Sequence, residues 1–176
     1  MIKLKGKTVY LTTLKKEDCH KLWQESEYNF DNPTESPPAE YSAARADEWF
    51  DQITQLQLNT NIRLGVFLHS GEVIGDIALQ DIDRTLRSCS IGLGFSKFEY
   101  RGKGYGKEAL RLMLDYAFGA AGMERVTARI WKTNAAAQKI LEYMGFVLKD
   151  TEFGAVTING KIFDKLLYSL SKNGNS

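Results

Sequence analysis

The stretch FEYRGKGYGKEAL at positions 98–110 sets three glycines among three cations between Arg101 and Lys107, then turns into a strong helix former. These residue types suit the holding of a phosphate. The first N–H groups of a helix have no partners inside it, and the helix dipole makes that end electropositive. Glycine lets bare backbone approach an anion closely. Arg101, Lys103 and Lys107 add full charges.

The spacing R-G-K-G-Y-G excludes the two commonest nucleotide loops. A phosphate-binding NTPase loop needs four residues between its glycines and then Gly-Lys-Ser/Thr. A dinucleotide fingerprint needs a strand running straight into its first glycine. Here Ser96 to Tyr100 intervene, and the later strand ends Ile130-Trp131-Lys132 with no acid to hold a ribose.

Other residues with chemical potential have plainer readings. Cys89, in SCSIGLGF, reads as a buried strand residue, since no histidine lies near it in sequence. His69 belongs to the turn HSGE, and His20 sits on a helix with no nameable partner. Trp23 and Trp49 read as core rather than as a stacking platform. Asp164, in the final strand, reads as a structural hydrogen-bonding group. Two cysteines make neither a disulfide framework nor a metal cluster, and no metal is expected.

The elements that must position the loop follow from periodicity. A strand over Thr8–Leu11 leads to a helix over Lys16–Tyr28 and a proline-containing loop over Phe30–Pro38. Ser42 is placed to cap a second helix. Three strands follow, IRLGVFL (62–68), VIGDIALQ (73–80) and SCSIGLGF (88–95), with HSGE as a hairpin turn. After the glycine loop comes a helix over Gly104–Ala121 whose apolar stripe runs through Ala109, Leu110, Met113, Leu114, Ala117 and Phe118. RVTARIW (125–131) is a strand, Asn134 caps a short helix to Tyr143, and Gly145 ends it. Two strands, 146–153 and 162–170, turn at Asn159-Gly160. The order is β α α β β β α β α β β.

The chain of 176 residues is expected to form one domain over 1–171 with a frayed tail over 172–176. The net charge of +1 gives no footprint for nucleic acid. No long apolar run or leader is seen, so no membrane partner is expected and the cytoplasm is the default location. Between Leu22 and Ala44 there is no Lys or Arg, while Glu25, Glu27, Asp31, Glu35 and Glu40 occur. That bias reads as a solvated acidic loop or as a mouth that attracts cations.

Arg101-x-x-Gly104-x-Gly106 resembles the R/Q-x-x-G-x-G/A loop of the GNAT acyl-CoA-dependent N-acetyltransferases. IGLGF…EYRGKGYGKEALRLMLDYAF, ERVTARIWKTNAAAQKILEYMGF and INGKIFDKLLYSL extend the likeness from about Leu64 to Leu170. They resemble the branch containing ribosomal-protein alanine and spermidine acetyltransferases. The resemblance implies an α+β three-layer fold: a mixed, mostly antiparallel sheet of about seven strands, splayed at its middle, with helices on both faces. It implies acetyl-CoA as co-substrate, with backbone from Leu93 to Ser96 pairing the pantetheine arm and the Phe95 N–H polarising the thioester. Backbone N–H groups of Gly102, Lys103, Gly104, Tyr105, Gly106 and Lys107 would hold the pyrophosphate, with Arg101 beside them, and Asn134 would contact the arm.

The implied reaction is direct attack on the acetyl carbonyl by a neutral primary amine, either a small-molecule amine (a polyamine or an aminoglycoside-like amine) or a peptide N-terminus of a protein, with both substrates bound; the enzyme is expected as a monomer or homodimer. Relatives carry side-chain acids and bases where this chain has Leu141, Ala137 and Ser90. Tyr143 lies about 200° round the helix from position 141 and faces elsewhere. Proton transfer then falls to water or to an N-terminal residue, or the protein is an acyl-CoA-binding sensor with little catalysis.

Overall fold

The two periodicities of the sequence become one sheet with helices on each side. The structure, a computed structural model, describes residues 1–28 and 40–174. Its strands are β1 (Lys3–Lys5), β2 (Val9–Thr12), β3 (Ile62–Leu68), β4 (Val73–Asp83), β5 (Ser88–Phe95), β6 (Arg125–Trp131), β7 (Val147–Ile158) and β8 (Lys161–Ser171). Its helices are α1 (Lys16–Gln24), α2 (Ala43–Leu56), α3 (Tyr105–Phe118) and α4 (Ala135–Tyr143). The strands form one sheet in the order β1-β2-β3-β4-β5-β6-β8-β7. Every neighbouring pair is antiparallel except β5–β6.

The expected mixed, mostly antiparallel sheet with two helical faces is thus present, with one strand more than expected. β1 adds it at the sheet edge, pairing Leu4 with Leu11. Its three residues, Lys-Leu-Lys, are too short and too charged to show a strand period, as suits an edge. Helix α1 stops at Gln24 rather than Tyr28. The Glu27 N–H donates to the Ser96 carbonyl at 2.7 Å, and Glu27 Oε2 accepts from the Phe98 N–H at 2.7 Å, so the chain is drawn to the end of β5. Ser42 is the N-cap residue of α2, but its side chain makes no capping bond. The proline-containing loop over Phe30–Pro38 lies outside the described residues.

Helices α3 and α4 cover one face, where Ala109, Leu110, Met113, Leu114 and Ala117 of the predicted stripe are buried with Leu141 and the strand residues Leu64, Ile77 and Val126, and Phe118, its last member, is partly buried. Each fully buried Leu, Ile, Val or Met side chain among these is worth about 1.5–3 kcal/mol over exposure. Helices α1 and α2 cover the other face through Cys19, Leu22 and Ile53, packed with Phe67 and Val73. The β7–β8 turn has Asn159 at φ 50° and Gly160 at φ 75°, the left-handed pair that suits a two-residue hairpin.

Candidate active site

β5 and β6 run side by side for only three pairs, Ser88–Arg125, Cys89–Val126 and Ser90–Thr127. Beyond Ser90 they part, although β5 continues to Phe95 and β6 to Trp131. The phase of the β4–β5 ladder decides what faces the gap. The Ser96 N–H donates to the Ile74 carbonyl at 3.0 Å, and Gly94 lies opposite Asp76 two residues back. Hydrogen-bonded and non-bonded pairs alternate along an antiparallel ladder. Gly92 and Gly94 therefore bond to β4, while Leu93 and Phe95 turn their N–H and C=O groups to the side that β6 has left. The cavity between the strands holds about 280 Å³, with Leu93 on one wall, Ile130 and Trp131 on the other, and Leu110, Asn134 and Leu141 closing it. Backbone groups so turned, beside an apolar slot, are of the kind that can pair with an extended, amide-bearing chain as an added strand.

At the far end of β5 stands the glycine loop. A single 3-10 turn over Phe98–Tyr100 leads in, and the Arg101 N–H bonds back to Phe98 at 3.0 Å. Gly102 and Gly104 have φ of 74° and 85°, which glycine adopts without strain. Gly104 is the N-cap of α3, and the first helical bond runs from the Glu108 N–H to its carbonyl. The N–H groups of Tyr105, Gly106 and Lys107 precede that bond and lie at the positive end of the helix. A Cβ on Gly106 would sit 3.3 Å from Phe95 Cε2 and 3.4 Å from Leu93 Cδ2, so the loop closes onto the strand flanking the gap. The Arg101 guanidinium lies over the Phe98 ring at 4.6 Å, and Lys103 is exposed.

Glu108 is the one acid in the first turn of α3, and it does not oppose an anion there. Its carboxylate receives the N–H groups of Lys7, Thr8 and Val9 and the Thr8 hydroxyl. Burial works to raise its pKa, but these donors together lower it from 4.5 to about 2.

Asn134 caps α4 by accepting the Ala137 N–H at 3.0 Å. Leu141, 5% exposed, lines the gap, whereas Tyr143 is 68% exposed and faces away, as its helical angle predicts. Its ring lies under Lys107 Nζ, 3.3 Å from the centroid, and the hydrogen bond to that ammonium lowers the phenol's pKa.

Ser96 corrects the expected set. Its N–H and hydroxyl both reach the Ile74 carbonyl, and its carbonyl accepts from Glu27, so it has no backbone group to offer an arm. Ser90 Oγ donates to Asp81 Oδ2 at 3.0 Å.

A second cavity, of about 330 Å³, opens on the α1–α2 face of the sheet. Gly75, Asp76 and Gly94 form its floor, with Trp23, Tyr28 and Trp49 around it. The two tryptophans, read from sequence as core, are half-buried walls that meet edge to face with centroids 6.3 Å apart at 83°. Asp76 forms an ion pair with Arg63 of β3. Burial pushes the Asp76 carboxyl above its ordinary value against the pull of Arg63. Sequence reasoning passed over Asp76, although a lone acid in the apolar run VIGDIALQ is a signal of a positioned carboxylate. The two cavities adjoin along β5, one at Leu93 and the other at Gly94 and Phe95.

The remaining candidates lie outside the two cavities. Cys89 is buried, which pushes its thiol up to about 12. Asp164 accepts the Gly154 N–H at 3.0 Å and pairs with Lys132 at 3.1 Å. His69 is exposed, with Nε2 3.1 Å from the Lys7 carbonyl. His20 has partners after all, Asp47 at 2.6 Å and Tyr41 at 2.8 Å. Among the described residues, no helix is long and apolar enough to cross a membrane, and none of the His, Cys, Asp and Glu side chains cluster in a way that could hold a metal.

Comparison with known proteins gives this geometry its family. Residues 8–147 match the family model described as "Acetyltransferase (GNAT) domain". A Bacillus subtilis protein named "Probable N-acetyltransferase YjcK" is 30% identical over 172 residues, covering 89% of this chain and 90% of that protein. The solved structure of ribosomal-protein-S5-alanine acetyltransferase from Vibrio fischeri shares the fold with a TM-score of 0.86 at 20% identity, over 98% of both chains. A chimera of spermidine N-acetyltransferase SpeG from Vibrio cholerae and hSSAT does so with a TM-score of 0.76 at 23% identity, over 95% of this chain and 97% of that one. The chain belongs to the GNAT acetyltransferases and is an N-acetyltransferase.

Proposed function

We propose, from that membership, that the protein moves an acetyl group from acetyl-CoA to a primary amine by direct attack while both substrates are bound. The observation that carries this reading is the meeting of the two cavities along β5: a slot for an extended acyl carrier on one side of Leu93, and a walled pocket over Gly94 on the other.

Leu93 pairs the pantetheine arm through its free backbone groups. The N–H groups from Gly102 to Lys107 hold the pyrophosphate, helped by the charges of Arg101 and Lys103, and Asn134 borders the arm. The Phe95 N–H points to the gap side and donates to the thioester oxygen as negative charge develops on it. A fixed dipole so aimed is a large catalytic term. Asp76, at the floor of the amine pocket, orients the ammonium and takes its proton, directly or through a water. An aspartate with a raised pKa is a stronger base than an ordinary one. The amine nitrogen then attacks the carbonyl carbon, the C–S bond breaks, and the sulfur leaves as thiolate. With Leu141 rather than an acid facing it, the thiolate takes its proton from solvent. An ordinary thiol pKa of about 8.5 makes this leaving group adequate without an acid. Acetyl-CoA supply puts the working protein in the cytoplasm.

Thiol release from acetyl-CoA, measured with and without a panel of primary amines, tests the reading. Amine-dependent release is expected; tight CoA binding with no release for any amine overturns it.

A further inference from the structure

We infer that the acceptor is a monoamine carried on a flat apolar body, of the arylalkylamine kind, rather than a polyamine; the inference rests on the reading of the α1–α2 cavity as the amine site. Four observations converge on it. Trp23 and Trp49 meet edge to face at 83°, so their ring planes form two sides of a corner, with Tyr28 and Phe95 adding aromatic lining. Asp76 is the single charged residue lining this cavity among the described residues, and its charge is already matched by Arg63. Two acids beside the cavity are engaged elsewhere: Glu25 pairs with Lys97 at 3.0 Å, and Glu27 is bound to the Ser96–Phe98 backbone. Finally, 330 Å³ is near the lower end of the range of about 300–1,000 Å³ for small-molecule sites.

A polyamine carries several charges along a flexible chain, and each needs a carboxylate or loses its hydration uncompensated. Among the described residues this cavity offers one carboxylate, already paired with Arg63. A single ammonium beside aromatic faces is held both by Asp76 and by the ring quadrupoles. A flat ring placed in the tryptophan corner reproduces the edge-to-face geometry that aromatic groups favour.

The test compares phenethylamine, spermidine and a hexapeptide with a free alanine N-terminus as acceptors. It adds calorimetric titration of phenethylamine alone into the wild-type protein and into Trp49→Leu and Trp23→Phe. Both variants keep apolar bulk, and a thermal scan confirms that they fold. The expected result is a kcat/KM for phenethylamine at least about tenfold above the other two, with phenethylamine binding weakened about tenfold in Trp49→Leu. Preference for spermidine or for the peptide overturns this inference and leaves the transferase reading standing. If no amine is acetylated, the titration decides: tryptophan-dependent phenethylamine binding upholds the aromatic site while the catalytic reading fails, and absence of binding overturns the inference.

Discussion

Asp76 and Gly94 stand directly opposite each other across β4 and β5, so their Cα–Cβ directions share the face that Trp23 and Trp49 wall. The carboxylate thus has a residue without a side chain as its neighbour on the strand that carries Leu93 and Phe95. A Cβ added to Gly94 would meet no atom within 4 Å, so the space above it is open. Gly94→Val is therefore expected to fold normally and to fill the amine pocket. The KM for the amine should rise about tenfold or more while CoA affinity measured by calorimetry stays within about twofold, a split that follows from removing acceptor binding alone. An equal loss of both would show that the pocket and the gap are not separate sites.

Asp76→Asn removes the proposed base and keeps the shape. kcat is expected to fall about 10²–10⁴-fold, the usual range for general-base removal, with CoA affinity unchanged. The pH profile checks the assignment further. Burial raises the Asp76 carboxyl, so the active carboxylate form is reached only above the ordinary aspartate value of 3.8. Wild-type kcat/KM should climb with pH through that raised pKa, and this acid limb should be missing in the variant.

Gly104→Glu addresses the anion cradle. Gly104 has φ 85°, which a residue with a Cβ adopts only with strain of about 1–3 kcal/mol, and open space surrounds it. The new carboxylate would sit at the N-terminus of α3, where an anion is expected to bind. CoA affinity is expected to fall at least about a hundredfold, read by calorimetry on a protein whose thermal unfolding remains cooperative. Unchanged affinity would sink the cradle reading.

Much of this arrangement was legible beforehand because it is local. β3, β5 and β6 match their apolar runs residue for residue, and the stripe of α3 and the cap Asn134 follow from spacing and side-chain chemistry. What escaped depends on partners far along the chain. The early end of α1 is set by Glu27 meeting Ser96 and Phe98, and the same contacts remove Ser96 from the carrier-facing set. Asp47, which holds His20, lies 27 residues away on another helix. The role of Asp76 depends on Arg63 in β3 and Gly94 in β5, a juxtaposition that only strand register creates. Trp23 and Trp49 carry the same apolar signal whether they fill a core or wall a cavity.

Glu108 ties the β1–β2 turn to the first turn of the helix that follows the glycine loop, and this gives the fold an acid-sensitive tether. Its side chain is 12% exposed and its carboxylate accepts from Lys7, Thr8 and Val9. Glu108→Gln keeps one carbonyl acceptor and places an NH₂ group against backbone donors. A loss of stability of about 1–3 kcal/mol is expected, the cost of leaving such groups unsatisfied. The sign of the pH dependence follows from the direction of the shift. The folded pKa is lowered from 4.5 to about 2, so the tether contributes fully above 4.5 and its contribution is lost as pH falls toward 2. Denaturant unfolding at pH 7 and pH 3 should show a large gap between wild type and variant at pH 7 and a smaller one at pH 3. An equal gap at both values would mean that the carboxylate charge at Glu108 is not what anchors the turn.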